Sequence, residues 1–268
     1  MTRLPLTFGC GSLTLAGTLD TAPGQTGLLI VSGGNEIRSG AFGGQARLAA
    51  RVAAAGFPCF RFDRRGIGDS EGENRGFRSS AKDIASAREA FLAMAPDVER
   101  VFAFGNCDAA SALMLAGGEG FDGLILSNPW TIEDSGDDAN APPPAAIRER
   151  YAAKLKDPSE IARLLRGGVD LKKLARGLFR SVGPAPEPTS LCEEMRAGLD
   201  SFDGKVKILL AEADRTAQMF ESGWDTEDPR IKRCAGATHA YVDPEHFDWL
   251  SAQIITALRK PSTGKLAR

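Results

Sequence analysis

A cysteine stands where the sequence could place a reactive nucleophile. The segment Gly105-Asn106-Cys107-Asp108-Ala109 joins an apolar run that predicts a strand to a run typical of a helix. This is the setting of a G-x-S-x-G turn, which exposes its central side chain and needs small residues two positions on either side. The turn also places Cys107 at a helix N-terminus, where the helix dipole favours a thiolate. Cysteine replaces the more common serine, and a small buried apolar residue is the alternative interpretation.

Only two histidines could serve as the general base for such a nucleophile. His239 follows the residues Gly-Ala-Thr in a loop behind an apolar run, close to the end of the sequence. His246 lies in the helix-like segment PEHFDWL. We therefore expect His239 to be the base and His246 to cap or pack its helix.

An acid that orients the imidazole is expected between nucleophile and histidine in chain order. The apolar run KILLA ends at Glu212-Ala213-Asp214, so both carboxylates are plausible. We favour Asp214 because it lies further into the loop, where a side chain can turn back to the imidazole. Glu212 stays open as the alternative acid.

Two backbone N–H groups are expected to stabilise a tetrahedral oxyanion. Gly33 and Gly34 follow the apolar run GLLIVS, and glycines allow the backbone to approach a substrate closely. The N–H of Gly34 and that of Asp108, the residue after the candidate nucleophile, are the expected donors. A glycine pair after a strand also forms ordinary turns, so this expectation depends on the turn at Cys107.

Short apolar runs alternate with helical patterns, which predicts an α/β fold with a mostly parallel central sheet flanked by helices. The expected strands are Leu13–Leu19, Gly27–Ser32, Pro58–Asp63, Arg100–Phe104, Gly123–Ser127, Lys207–Ala211 and Ile231–Cys234. The expected helices are Arg47–Ala55, Ser80–Ala95, Ser111–Ala116 and Phe247–Arg259.

The regular pattern is interrupted between Trp130 and Phe202. This segment has an acidic stretch, a proline triplet and pieces rich in Arg and Lys, with leucines near helical spacing. An insertion late in an otherwise regular α/β chain is most simply a cap over the sheet edge. We therefore expect a core formed by residues 1–129 and 203–268 and a helical cap insertion at 130–202; a disordered loop is the alternative.

Composition narrows the choice of partners and compartment. The chain has 268 residues, of which 43% are apolar, and a formal net charge of −2. This balance gives no reason to expect nucleic acid or an anionic membrane surface as partner, and no apolar run approaches the length of a membrane span. The five cysteines show no CxxC spacing. We expect no metal and no disulfide framework, no secretory signal at the N-terminus, and a reducing cytoplasm as the location.

A third segment identifies a family resemblance. The run Asp63-Arg64-Arg65-Gly66-Ile67-Gly68-Asp69-Ser70 matches the D-x-R-G-x-G-x-S turn of the α/β-hydrolase superfamily, which the chain resembles. In that superfamily the turn is structural. More narrowly, SGGNEIRSGAFGGQARLA, FRFDRRGIGDSEGENRGF and FGNCDAASAL resemble hydrolase 1 of the exosortase A-associated systems. These bacterial hydrolases are encoded alongside exopolysaccharide and protein-sorting functions.

The resemblance implies a triad of Cys107, Asp214 and His239 but no settled substrate. The expected function is an acyl hydrolase of the esterase or thioesterase type, which forms an acyl-cysteine and needs no cofactor. Its substrate would be a small molecule with an activated acyl group. Two alternatives stay open: an acyltransferase to a sugar or lipid acceptor, and a catalytically silent fold that serves as an interaction module.

Overall fold

The structure is a computed structural model, and it describes residues 2–132 and 190–259. The strands in these ranges are β1 (Arg3–Cys10), β2 (Leu13–Asp20), β3 (Thr26–Val31), β4 (Cys59–Phe62), β5 (Arg100–Asn106), β6 (Gly123–Ser127), β7 (Lys205–Ala211) and β8 (Ile231–Cys234). The α-helices are α1 (Gly44–Ala54), α2 (Ala81–Met94), α3 (Asp108–Leu115), α4 (Ser190–Asp200), α5 (Arg215–Gly223) and α6 (Pro244–Arg259). Short 3-10 turns at Ala41–Gly43 and Phe77–Ser79 precede α1 and α2.

The strands form one sheet in the order β1-β2-β4-β3-β5-β6-β7-β8. Strand β2 pairs antiparallel with β1 and β4, and all other pairs are parallel. The mostly parallel sheet predicted from the sequence is therefore confirmed. Strand β1 was not predicted, because it is an edge strand with mainly exposed or half-buried side chains and no continuous apolar run.

The inner strands are buried on both faces, which explains their unbroken apolar sequences. In β3, Leu28 and Ile30 belong to one core cluster, whereas Leu29 and Val31 belong to the other. Helices α1 and α6 cover the first face, and α2, α3, α4 and α5 cover the second. Because strands β3 to β8 are parallel to one another, their carboxyl ends lie at the same edge of the sheet.

Helix α4 lies within the segment 130–202 that the sequence assigned to a cap. Its side chains Leu191, Met195 and Leu199 are at most 2% exposed and belong to the same core cluster as those of α3. The core on this side thus includes residues that were expected to belong to the insertion. Positions 133–189, where the rest of the expected cap falls, lie outside the described residues.

The D-x-R-G-x-G-x-S turn fastens β4 to its neighbours. Asp63 is fully buried, and its carboxylate accepts hydrogen bonds from Arg38 and, at 3.1 Å, from the N–H of Asp69. The Ser70 hydroxyl donates to the Asp63 carbonyl at 2.7 Å and accepts from the N–H of Ala16 at 2.9 Å. These contacts agree with the structural role that the resemblance implies for the turn.

Arg65 connects the same turn to α2. Its Nε donates to Asp83 Oδ1 at 2.8 Å, and its backbone N–H donates to Asp83 Oδ2 at 3.0 Å. Asp83 is only 1% exposed. Removal of that carboxylate would leave a half-buried guanidinium without its counter-ion.

No helix in residues 2–132 and 190–259 combines the length and the apolar composition that a bilayer crossing requires.

We predict that Asp83→Ala lowers the free energy of unfolding by about 3 kcal/mol, because breaking a buried ion pair from one side leaves an uncompensated charge. Urea denaturation with a fluorescence readout measures the change. Asp97→Ala is the matched control: Asp97 is exposed, and its loss should change stability by less than about 0.5 kcal/mol. Equal effects of the two substitutions would contradict the structural role of the Arg65–Asp83 pair.

Candidate active site

Cys107 occupies a sharp turn between β5 and α3. Its φ is 62° and its ψ is −130°, a conformation that side-chain-bearing residues rarely adopt. The Cys107 N–H donates to the Ser127 carbonyl at 3.0 Å, and the Cys107 carbonyl accepts from the N–H of Ala110 at 3.1 Å. The backbone is therefore held from both sides while the thiol points out. Among the five cysteines, Cys107 alone is partly exposed.

Gly105 allows this turn to approach α3 closely. A Cβ at Gly105 would lie 2.7 Å from the carbonyl carbon of Ala109 and 2.7 Å from the N atom of Ala110. Backbone atoms cannot yield to such a contact. The small residues that the sequence pattern requires are thus explained by packing of the strand end against the first turn of the helix.

His239 lies between an acid and the thiol. Its Nδ1 is 2.8 Å from Asp214 Oδ2. Asp214 first, and the neighbouring Cys107 second, raise the pKa of His239 to about 10. The imidazole beside the Cys107 side chain is therefore protonated at neutral pH.

Asp214 is positioned by the start of α5. It is the N-cap of this helix, and its Oδ2 accepts the N–H of Ala217 at 3.3 Å. Its side chain is 7% exposed. The cap fixes the carboxylate where β7 ends, so that it faces the imidazole of His239.

The other sequence candidates lie apart from this chain of contacts. Glu212 is exposed, and its backbone carbonyl accepts from Gln218 at the start of α5. His246 lies in the first turn of α6, with its Nδ1 3.4 Å from Asp243 Oδ2. The structure thus brings Cys107, His239 and Asp214 together and leaves the two alternatives outside.

Two asparagines hold the loop of His239. Neither was predicted from the sequence to belong to the site. The Nδ2 atoms of Asn106 and Asn128 donate to the carbonyl of His239 at 3.3 and 3.4 Å. Asn128 is fully buried, has a φ of 43° and accepts the N–H of Ala211 at 2.8 Å through Oδ1. The only sequence sign was the position of both residues at strand ends.

The expected oxyanion donors show an arrangement that the sequence did not predict. Gly34 lies in a tight turn, with a φ of 53° and a bond of 3.0 Å from the Glu36 N–H to the Gly33 carbonyl. Its N–H donates to Asp108 Oδ1 at 2.6 Å. The Asp108 N–H begins α3 and has no acceptor within the helix. The Gly34 N–H is therefore bound by the side chain of Asp108, and the backbone N–H of Asp108 is the other expected donor.

Arg64, the variable position of the D-x-R-G turn, also reaches this region. Its Nη2 donates to the Gly34 carbonyl at 2.6 Å and lies 3.5 Å from Asp108 Oδ2. Its Nη1 donates to the Ser80 hydroxyl at 3.0 Å. The sequence reading assigned this turn no role in the site. The additional arginine at the variable position was the one feature that could have drawn attention to it.

A small pocket of about 40 Å³, open to solvent, lies beside His239. Apolar side chains of α1, β5 and α6 form its wall, and Glu36, Gln45 and Asn106 supply polar groups. Such a mixture is typical of small-molecule sites. Among the described residues, no group of three or more His, Cys, Asp or Glu side chains has a metal-binding arrangement.

Known structures share this architecture. An esterase from Pyrococcus furiosus aligns over 96% of this chain and 90% of its own, with a TM-score of 0.63 and 12% identity. An α/β-hydrolase from Penicillium sp. sh18 aligns over 97% and 98%, with a TM-score of 0.62 and 18% identity. The chain has the α/β-hydrolase fold.

A third structure, of Est1E from Butyrivibrio proteoclasticus with bound ferulic acid, aligns over 94% of this chain and 96% of its own. Its TM-score is 0.56 and its identity is 15%. At such identities the likeness shows the fold alone. No protein-family profile and no curated protein matches the chain.

We predict that Asp214→Asn lowers the pKa of His239 from about 10 towards its ordinary value of 6.5, because the largest cause of the rise is removed. NMR titration of the imidazole measures this shift. The raised pKa stabilises the folded chain fully below about pH 6.5, and the gain is lost as the pH rises towards 10. The stability difference between wild type and variant should therefore shrink over that interval.

Glu212→Gln is the matched control for this measurement. It removes a carboxylate from the same loop, but Glu212 is exposed. We expect the titration of His239 to stay unchanged. A larger shift in Glu212→Gln than in Asp214→Asn would reverse the assignment of the acid.

Proposed function

We propose that this chain is an acyl hydrolase of the esterase or thioesterase type, with Cys107 as nucleophile, His239 as general base and Asp214 as the acid that orients it. The observation that supports the proposal is the hydrogen bond from His239 to Asp214, with Cys107 close enough to the same imidazole to raise its pKa. These residues lie at the carboxyl ends of β5, β7 and β8, where ligands bind in open parallel sheets.

In the proposed reaction, the Cys107 sulfur attacks the acyl carbon, and its proton resides on His239. The carbonyl π-bond opens to a tetrahedral oxyanion, which the Asp108 N–H and the Gly34 N–H stabilise. His239 then donates its proton to the leaving group as the bond from that group to the acyl carbon breaks. Water, deprotonated by His239, attacks the resulting thioester and releases the acid and the thiol.

Activated acyl groups are the favoured substrates, since a thiolate is a better leaving group than an alkoxide or an amide. The tetrahedral intermediate of an unactivated ester or amide would mostly expel the cysteine again. Thioesters and aryl esters avoid this difficulty, because their leaving groups are thiolates and phenolates. The small pocket beside His239 has an apolar wall and a few polar groups next to the imidazole.

The fold comparison supports hydrolysis in general terms. The neighbours include proteins described as esterases, and one from Coxiella burnetii is described as a serine hydrolase homologue. A serine in this role depends wholly on its histidine for activation, whereas cysteine can react as a preformed thiolate. The cysteine at the turn is therefore the feature that separates the proposed chemistry from theirs.

A link to exopolysaccharide or protein-sorting systems is part of the proposal and rests on the resemblance of three sequence segments. If the acyl group passes to a sugar rather than to water, the same acyl-cysteine would serve a transferase. A competition assay with water and sugar acceptors, read by mass spectrometry of the products, separates hydrolysis from transfer.

We predict that iodoacetamide at pH 7 modifies Cys107 before any other cysteine. Cys107 is the one partly exposed cysteine, and it lies beside the imidazole of His239 at the start of α3, a setting typical of reactive thiols. The remaining cysteines are buried, and burial raises the pKa of the Cys59 and Cys234 thiols. Peptide mass spectrometry over a time course gives the order, and labelling of all five at one rate would count against an activated nucleophile.

We predict that Cys107→Ser folds normally and loses about 100-fold in turnover, because the shorter C–O bond misplaces the nucleophile and the hydroxyl is far less acidic. Cys107→Ala should be lower still. Burst kinetics on one p-nitrophenyl ester, with the intact mass of the acylated chain, measure both. A serine variant as active as wild type would refute thiolate chemistry and the preference for activated substrates.

A further inference from the structure

The residue after the nucleophile contributes more than its backbone to this site. Asp108 Oδ1 accepts the Gly34 N–H at 2.6 Å. A Cβ built on Gly33 would lie 2.9 Å from Asp108 Oδ1 and 3.5 Å from the Cys107 Cβ. Gly33 thus has both the Asp108 carboxylate and the Cys107 side chain as close neighbours. The carboxylate is bound to the N–H that a substrate oxyanion would need.

A buried arginine, Arg64, contacts both Gly34 and Asp108. Arg64 is 3% exposed and donates to the Gly34 carbonyl at 2.6 Å. Its Nη2 also lies 3.5 Å from Asp108 Oδ2, a loose contact for an ion pair of this kind. A closer pairing is open to the carboxylate if it leaves the Gly34 N–H.

We propose that the Asp108 carboxylate occupies the oxyanion donor of Gly34 in the free chain and moves fully onto Arg64 when the oxygen of the substrate takes its place. Asp108 is thereby a specificity-determining residue as well as a backbone donor. This inference rests on the proposed acyl hydrolase function and deepens it.

The exchange discriminates between the ground state and the tetrahedral intermediate. A carboxylate is a charged acceptor and binds an N–H more strongly than a neutral ester carbonyl does. The substrate carbonyl consequently competes poorly for Gly34, whereas the oxyanion formed by attack competes on equal terms. Interactions made only after attack accelerate the reaction without tightening substrate binding. Acyl groups that form the intermediate readily are therefore selected.

Arg64 lowers the electrostatic cost of moving the Asp108 carboxylate. Its guanidinium is buried and needs a counter-ion close by, because an uncompensated buried charge is strongly destabilising. The side chain of Asp108 is 16% exposed, and that of Arg64 is 3% exposed. A displaced carboxylate that closes onto Arg64 keeps the charges paired, so the oxyanion gains the Gly34 donor without leaving an ion unpaired.

The test compares two reactions of the same sulfur. Acylation of Cys107 by p-nitrophenyl acetate passes through an oxyanion, whereas alkylation by iodoacetamide displaces iodide and forms none. Asp108→Ala removes the competing carboxylate and keeps the backbone donor. We expect the ratio of the acylation rate constant to the alkylation rate constant to rise about tenfold, the value of a hydrogen bond to a charged group. Stopped-flow release of p-nitrophenolate and mass spectrometry of the alkylated peptide supply the two rates.

Two further variants keep the outcome clear. Asp108→Asn preserves volume and should raise the ratio in the same direction by a smaller factor, because its amide oxygen is a weaker acceptor. Asp97→Ala removes an exposed aspartate close to the opposite end of β5 and should leave the ratio unchanged. Thermal unfolding of each variant verifies that the compared chains are folded.

A ratio that falls in Asp108→Ala and in Asp108→Asn overturns the inference, since the carboxylate would then position Gly34 rather than compete for it. An unchanged ratio in both folded variants overturns it as well. Failure of the proposed function looks different: wild-type Cys107 would be alkylated no faster than a free thiol, and p-nitrophenyl acetate would leave no acyl group on it.

Discussion

The rest of the site depends on one backbone constraint, the turn that carries Cys107 from β5 into α3. A φ of 62° and a ψ of −130° at a residue with a side chain are unfavourable by about 1–3 kcal/mol. The turn persists because the Cys107 N–H and carbonyl are both hydrogen-bonded and because Gly105 lets the strand end pack against α3. The strained turn positions the side chain: Cys107 lies at the carboxyl end of β5, directly before the first residue of α3.

The groups that surround this turn come from distant parts of the sequence. The side-chain amides of Asn106 and Asn128 hold them in place by hydrogen bonds. Asn128 joins the end of β6 to the N–H of Ala211 at the end of β7 and to the carbonyl of His239 after β8. Asn106 adds a second bond to the same carbonyl. Because Asn128 is fully buried, each of these polar groups would be costly to leave unpaired. The catalytic histidine of the proposed mechanism is thus positioned by its main chain as well as by Asp214.

Much of this arrangement could be predicted from the sequence. Apolar runs of four to seven residues with glycine or a charged residue at their ends indicate buried parallel strands, and the structure confirms that sheet. The turn at Cys107 could be inferred because its packing demands small residues at fixed spacing. The edge strand β1 was missed, since its mainly exposed or half-buried residues form no continuous apolar run. Helix α4 lies in the segment whose helical pieces were assigned to a cap, because spacing shows an apolar face but not what it packs against. The carboxylate of Asp108 was also missed, because spacing places its backbone but not its side-chain rotamer.

Two charge pairs lie near Cys107. Asp214 pairs with His239, which handles the proton in the proposed reaction, and Asp108, which follows Cys107 in the chain, pairs loosely with Arg64. In the proposed reaction, attack moves negative charge from sulfur to that oxygen, away from the imidazolium and towards Gly34. A fixed anion at Gly34 would oppose this transfer, whereas an anion that can close onto a buried guanidinium does not. In the proposed mechanism, closure of Asp108 onto Arg64 is therefore what makes the Gly34 N–H accessible to the oxyanion.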